Sequence, residues 1–320
     1  MKRIFNSSLN TQVMFVCLLL LALAPVLIQF LDEPFILDLL TRMVILSIAA
    51  ISLNLILGYG GMISFGHAAY VGLGAYCIGI PAYYEIYGAL TQLAITVLVS
   101  ALFALVTGFI CLRTKGVYFI MITLAFSQML FFALVSIEEY GADDGLVIDA
   151  RSELAGVIDL ESNVQLYYLC LLFLAAVLYF VWRLMNSRFG MVIRGTAGND
   201  ARMQSMGYPT FHYRLLAYVI AGVICGIAGW LLGNFTGFIS PEMMDWTRSG
   251  ELIFMVVLGG AGSLFGPVLG TAAFITIEEL LSGITVYWQL IFGLFLILVV
   301  LFGKGGLCGV LDKLEARRRR

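Results

Sequence analysis

The chain offers very little side-chain chemistry, and what it offers is oddly placed. Its two histidines, His67 and His212, stand far apart in sequence. His67 sits with Ser64 inside a glycine-rich run, GYGGMISFGHAAYVGLGAY, residues 58–76. An imidazole there serves either as a donor lining a polar passage or as a hydrogen-bond partner for a carbonyl freed by a broken helix. Asp38 and Arg42 stand at i,i+4. Such a pair within a membrane span is a default ion or proton site, but near a span end Arg42 can snorkel and pair with Asp38, which favours a structural role. Glu278 and Glu279 are expected at a rim. The six cysteines (Cys17, Cys77, Cys111, Cys170, Cys225, Cys308) occur singly, with no CxxC pair. They read as small packing residues, with neither a disulfide framework nor a metal site implied. There is no GxxxxGK[ST], and neither polar loop is long enough for a nucleotide-binding domain. LSGIT at 281–285 resembles an ATPase signature only superficially, because it follows an apolar span. No catalytic set, no metal site and no cofactor bound by this chain are expected, so energy must come from an ion gradient or from another subunit.

The elements that must hold these residues are membrane helices. The chain is 61% hydrophobic and 12% charged, too little polar surface for a soluble domain. Several runs reach the ~20 apolar residues that cross a bilayer core. The expected fold is all-α, a polytopic transmembrane helical bundle of about 8–10 spans forming one integral-membrane domain over 1–320. An uncleaved first helix covers Val13–Ile28, despite the Ala22-Leu23-Ala24 that mimics a processing site. Further spans read as 35–57, 62–83, 89–111, 117–137, 164–184 and 214–235, then an interrupted stretch at 251–281 and a last span at 286–303.

Charge orients them. The loop 138–163 carries Glu138, Glu139, Asp143, Asp144, Asp149, Glu153, Asp159 and Glu161 against Arg151 alone. The loop 186–214 is basic, with Arg188, Arg194, Arg202 and Arg214 against Asp200, and the chain ends in Arg317–Arg320. The excess of positive charge places the basic loops and both termini in the cytoplasm and the acidic loop outside. An odd number of crossings is then needed after Gly250, so VVLGGAGSLFGPVLG must break a helix, as a re-entrant pair or two short crossings.

That break matches the opening run. Gly60-Gly61-Met62-Ile63-Ser64-Phe65-Gly66 aligns, with an indel, beside Gly260-Ala261-Gly262-Ser263-Leu264-Phe265-Gly266. Paired interruptions in corresponding halves point to a substrate path, because non-helical backbone survives at depth only when buried in protein or lining a wet cavity. The expected pathway residues are Gly58, Gly60, Gly61, Ser64, Gly66, His67, Gly259, Gly260, Gly262, Ser263 and Gly266; each glycine can instead serve close helix packing. Gly222, Gly226, Gly229, Gly233 and Gly237 share one helix face and read as a packing seam. In the basic loop, Asp200 is expected to cap a miniature helix over Ala201–Met206 that Gly207 stops and Pro209 cannot extend. Arg202, Met203 and Met206 would offer contacts to a partner.

Taken in order, LNLILGYGGMISFGHAAYVGLGAY, GADDGL, SRFG, GNDARMQSMGYPTFHYRLLAYVIAGVICGIAGWL, GFISPEMMDW, SGELIFMVVLGGAGSLFGPVLG and LFGKGGLCG resemble the LivM-type permease subunits of branched-chain amino-acid ABC importers. The resemblance implies a short cytoplasmic helix that engages an ATPase, at about Gly198–Gly207 and so including Asn199, Asp200, Ala201, Arg202, Met203 and Met206. It also implies a homologous second permease subunit, two cytoplasmic ABC ATPase subunits that use the ATP, and an extracytoplasmic substrate-binding protein. The setting would be lipid of the bacterial cytoplasmic (inner) membrane, with no nucleic acid. Importers of urea, amides or aromatic acids belong to the same superfamily and remain alternatives, as does an ion-coupled secondary transporter.

Overall fold

The computed structural model describes residues 20–25, 34–148, 150–153, 161–302 and 305–309. Cys17, Asp149, Asp159, the arginine tail and all but 20–25 of the first apolar run lie outside them. The helices are α1 (Pro34–Leu57), α2 (His67–Tyr83), α3 (Ala89–Cys111), α4 (Val117–Val135), α5 (Asn163–Met185), α6 (Arg188–Ser205), α7 (Thr210–Thr236), α8 (Trp246–Gly259), α9 (Gly266–Ser282) and α10 (Trp288–Phe302). α1, α3, α4, α5 and α7 are long and apolar enough to cross a membrane. The expected spans at 35–57, 89–111, 117–137, 164–184 and 214–235 fall on these five, the one at 62–83 gives up residues 62–66 to a break before α2, and the stretch at 251–281 is broken into α8 and α9.

α3 and α4 are inside out relative to the helices of a soluble protein. In α3 the buried face is Gln92, Thr96, Ser100, Ala104, Thr107, Gly108 and Cys111, while Leu90, Leu98 and Leu102 are each more than 60% exposed, at 68%, 69% and 67%. α4 does the same: Thr123 and Ser127 point in, Met129 and Phe132 out. Between helices in lipid there is no hydrophobic driving force, so small and hydroxylated residues gather at helix contacts and large apolar ones meet the acyl chains. The inward threonines are satisfied within their own helices, as in Thr96 Oγ1 to the Gln92 carbonyl at 2.8 Å, whereas Ser127 Oγ reaches across to the Met244 carbonyl at 3.0 Å.

α7 is the central post, packed on α1, α2 and α3. Its glycine stripe forms the expected seam: a Cβ at Gly229 would overlap the Val71 carbonyl, and one at Gly226 would overlap Ser100. Gly74 answers from α2, where a Cβ would collide with the Gly226 carbonyl. Gly237 is not part of the seam, because it follows the last helical residue, Thr236, and faces open space.

At the acidic-loop end a two-stranded antiparallel ladder joins β1 (Leu146–Val147) to β2 (Phe238–Ile239). Ser152 binds the loop to the bundle through Asn234 Oδ1, at 2.7 Å from its hydroxyl and 3.0 Å from its backbone N–H. Cys77, Cys111, Cys170 and Cys225 are free and buried, and Cys308 is buried as well.

Candidate functional site

The two interruptions are built alike. The first runs from Gly58 to Gly66 between α1 and α2, the second from Gly260 to Phe265 between α8 and α9. The first N–H groups of a helix have no partner within it and must find one. In the first break the Ser64 hydroxyl accepts from Gly66 N at 3.2 Å. In the second, Ser263 Oγ accepts from Gly266 N at 3.0 Å. The serine therefore does the same work in both, and the indel in the alignment is the extra residue between serine and glycine. Gly61 and Gly262 turn the chain at φ +65° and +81°, a region that side chains with a Cβ rarely enter.

The two breaks also meet. Asn54, in the last turn of α1, accepts from Gly262 N at 2.9 Å and donates from Nδ2 to the Ser263 carbonyl at 2.8 Å. It is 1% exposed, and a Cβ on Gly58 beside it would overlap Gly262 N. Thr123 of α4 accepts from Phe65 N at 3.2 Å, and Ser249 of α8 from Ala68 N at 2.9 Å. Asn54, Thr123 and Ser249 had no place in the sequence-based expectation. A lone carboxamide four residues before Gly58, at the buried end of its helix's run into the break, was the signal that could have identified the first.

Ser64, Gly66 and His67 are buried, as are Gly60, Gly259, Gly260 and Gly266. A Cβ on Gly66 would stand 2.8 Å from the Thr123 carbonyl, and one on Gly259 would overlap the Gly266 carbonyl. Packing at these glycines is therefore backbone to backbone. The His67 ring lies edge-on to Tyr70, centroids 5.6 Å apart, and neither ring nitrogen has a hydrogen-bond partner among the described residues. A bond from that ring to a broken-helix carbonyl is thus not formed.

Below the first break lies a cavity of about 200 Å³ whose walls include Gly60, Gly61, Ile63, Lys115, Asp200 and Arg214. Its far wall is α6, which differs from the expected miniature helix. Residues 188–205 are helical throughout, apart from a kink at Asn199 (φ −160°, ψ 98°). Beyond the kink a second short helix begins, and Asn199, rather than Asp200, caps it: Asn199 Oδ1 accepts from Arg202 N at 2.9 Å. Such a cap contributes about 0.5–2 kcal/mol.

Asp200 is thereby released for another task. Its carboxylate meets Lys115 Nζ at 2.6 Å and Arg214 Nη1 at 3.9 Å, tying the short helix to the α3–α4 turn and to the first turns of α7. Burial opposes ionisation of Asp200, but hydrogen bonds from Lys115 and Thr210 and the nearby cations outweigh it, holding the carboxyl below its usual 3.8. It therefore stays charged through the neutral range. A Cβ on Gly61 would stand 3.4 Å from Ala197 Cβ, so the kinked helix lies directly against the first break. Met203 folds back over Gly195, and Ala201 and Arg202 are exposed. Met206 is 57% exposed, which leaves it as the methionine free for a partner.

The expected Asp38–Arg42 pair is replaced by a longer-range one. Arg42 Nη2 reaches Glu278 Oε1 of α9 at 3.2 Å, while Asp38 accepts from Asn163 Nδ2 at 3.4 Å. Glu278 is a partner across the bundle and its side chain is only 18% exposed, so it is no free rim residue. Among the described residues no cluster of His, Cys, Asp and Glu could hold a metal ion.

Residues 35–301 match the family described as the permease component of branched-chain amino acid transport systems. The chain is 27% identical over 293 residues to the high-affinity branched-chain amino acid transport system permease protein LivM of Salmonella typhimurium LT2, an alignment covering 84% of this chain and 69% of that one. Against LivM of Escherichia coli K12 it is 26% identical over 325 residues, covering 94% and 76%. A shorter alignment, 34% over 127 residues, covers 38% of this chain and 40% of the permease protein LivH of Escherichia coli K12. No solved structure matches.

Proposed function

This chain belongs to the family of branched-chain amino acid transport permease components, and on that premise we propose that it is the membrane half-channel of an ATP-driven importer. Its cargo is a branched-chain or other hydrophobic amino acid, and the energy comes from separate ATPases that grip its cytoplasmic short helix. One observation carries the coupling: the Asn199-capped helix lies on the first break, Ala197 against Gly61, with Asp200 fixed to Lys115 and Arg214. Movement imposed on that helix would reach the residues that separate the inner cavity from the bundle interior. The paired interruptions are the gate of this reading, with Ser64, Gly66 and His67 buried at the first of them.

The relatives' names support the cargo and, through LivM and LivH, a second permease beside this one. An extracytoplasmic binding protein delivers the cargo and the ATPases use the ATP. The lost Asp38–Arg42 pair weakens the rival ion-coupled transporter, since its proposed ion site is not assembled. Urea, amides and aromatic acids fit less well with the relatives' names.

Met206→Asp puts a carboxylate into the apolar contact that the short helix would make with an ATPase, where an unpaired buried charge costs several kcal/mol. The variant is expected to insert normally but to lose ATPase co-purification and leucine uptake together, by roughly tenfold or more. Met206→Leu should retain both. Normal uptake by a well-expressed Met206→Asp chain would remove the docking assignment.

Both termini are placed in the cytoplasm and the acidic loop outside, from the charge distribution. A reporter fused after Arg320 should be active only in the cytoplasm and one inserted near Asp144 only outside. An exported C-terminal reporter would overturn the orientation.

A further inference from the structure

A second cavity, about 190 Å³, opens between α1, α2, α7 and α8, at the other end of the bundle from the coupling helix. α7 sends Arg214 to the inner cavity and Leu232 to this one, which separates the two by about 27 Å at 1.5 Å per residue. Its walls carry Arg42, Arg248 and Glu251 above an apolar lining that includes Leu46, Val71 and Leu252. We propose that this cavity binds a zwitterionic α-amino acid with an apolar side chain. The proposal rests on the importer reading above and names where in this chain the cargo is first held.

The chemistry of the lining selects that ligand class. Charged side chains are costly at membrane depth and mark substrate pathways when they face a cavity. Here each cation already has a carboxylate: Arg42 with Glu278 at 3.2 Å, Arg248 with Glu251 at 3.2 Å and with Glu242 at 3.8 Å. Arg248 has two, so two guanidiniums face three carboxylates: a net anion meets an excess of negative charge, whereas a zwitterion brings its carboxylate to a guanidinium and its ammonium to a carboxylate. A guanidinium offers a planar fork that fits a carboxylate, and Glu251 accepts from an ammonium. The side chains of Arg42, Arg248 and Glu251 are 35%, 44% and 36% exposed, open enough to meet a solute. Leu46, Val71 and Leu252 then bury its hydrocarbon. Cavities for drug-sized ligands run to roughly 300–1,000 Å³, so this one suits a single small solute.

The position fits a route as well. Ala68 also lines this cavity, and it follows His67, the residue that opens α2 just past the first break. The two cavities therefore flank the same interruption, one on each side.

The test uses the full complex, with its partner subunits, in vesicles free of aminophospholipid so that no lipid ammonium competes. Labelled L-leucine is expected to bind saturably to the wild-type complex without the binding protein; absence of such binding overturns the site. Arg248→Gln and Glu251→Gln should each lower uptake about tenfold, with subunit content and ATP hydrolysis retained. The exchange variant Arg248→Glu with Glu251→Arg keeps an ion pair and inverts its polarity. If the two residues only hold the helix, the exchange restores uptake, which would overturn the proposal; if they hold the cargo, uptake stays low in an assembled complex. Wild-type uptake rates in the single variants would also overturn the site while leaving the importer reading intact. A wild-type complex that assembles and hydrolyses ATP but takes up no leucine would overturn the cargo reading, and the site with it.

Discussion

Gly229→Val is expected to remove folded protein from the membrane altogether. At this position the α7 backbone rests on α2, and even a Cβ would overlap the Val71 carbonyl. Valine adds two further methyl groups beyond that, so α7 must draw back from α2. Gly74 faces the Gly226 carbonyl along the same line and would lose its contact too. In a lipid-embedded bundle, close packing of small residues is the main source of helix association, and overpacking alone costs typically 1–3 kcal/mol where a core can yield. A backbone carbonyl cannot yield as a side chain does. Size-exclusion chromatography in mild detergent checks this: Gly229→Val should give only aggregate or degraded chain, whereas Gly250→Val, with nothing within 4 Å of its Cβ, should elute as the wild type does. A monodisperse Gly229→Val chain would mean that α2 and α7 do not meet at this depth.

Asn54→Ala is expected to loosen the second interruption while the spans remain inserted. The carboxamide serves two backbone groups at once, Gly262 N–H at 2.9 Å and Ser263 C=O at 2.8 Å. Alanine leaves both without a partner in a buried setting, at about 1–3 kcal/mol each. At roughly 2–4 °C per kcal/mol for a domain of this order, Tm should fall by on the order of 10 °C. A thermal melt in detergent measures it, and limited proteolysis near Gly262 should accelerate in parallel. Asn54→Leu, closer in volume, should show the same loss, because the deficit is polar and not one of packing. If both variants melt with the wild type, the two breaks are held together by something other than this side chain.

The membrane class, the five long spans and the broken stretch at 251–281 were all legible in the sequence. Each depends on local features, namely the length of apolar runs, the sign of the loop charges, and glycine and proline where a helix cannot continue. The paired Ser-Phe-Gly and Ser-Leu-Phe-Gly stretches were legible too, and the bond that each serine accepts from the following glycine N–H accounts for the recurrence of both residue types.

The long-range contacts could not be read in this way. Arg42 had Asp38 at the right helical spacing, yet it pairs with Glu278, more than two hundred residues on. Spacing along one helix says which groups can meet, whereas the packing of α1 on α9 decides which do. Asp200 was a reasonable N-cap by type, but with Lys115 and Arg214 brought beside it the carboxylate does better as an ion-pair partner, and Asn199 takes the cap. Asn54 was one polar residue among several in its helix until the second break was folded against it. Sequence determined where the backbone can span and where it must break, because those are properties of short segments. Only the tertiary structure decided which polar group answers which, because in a medium without water the partners on offer are those that the packing of helices supplies.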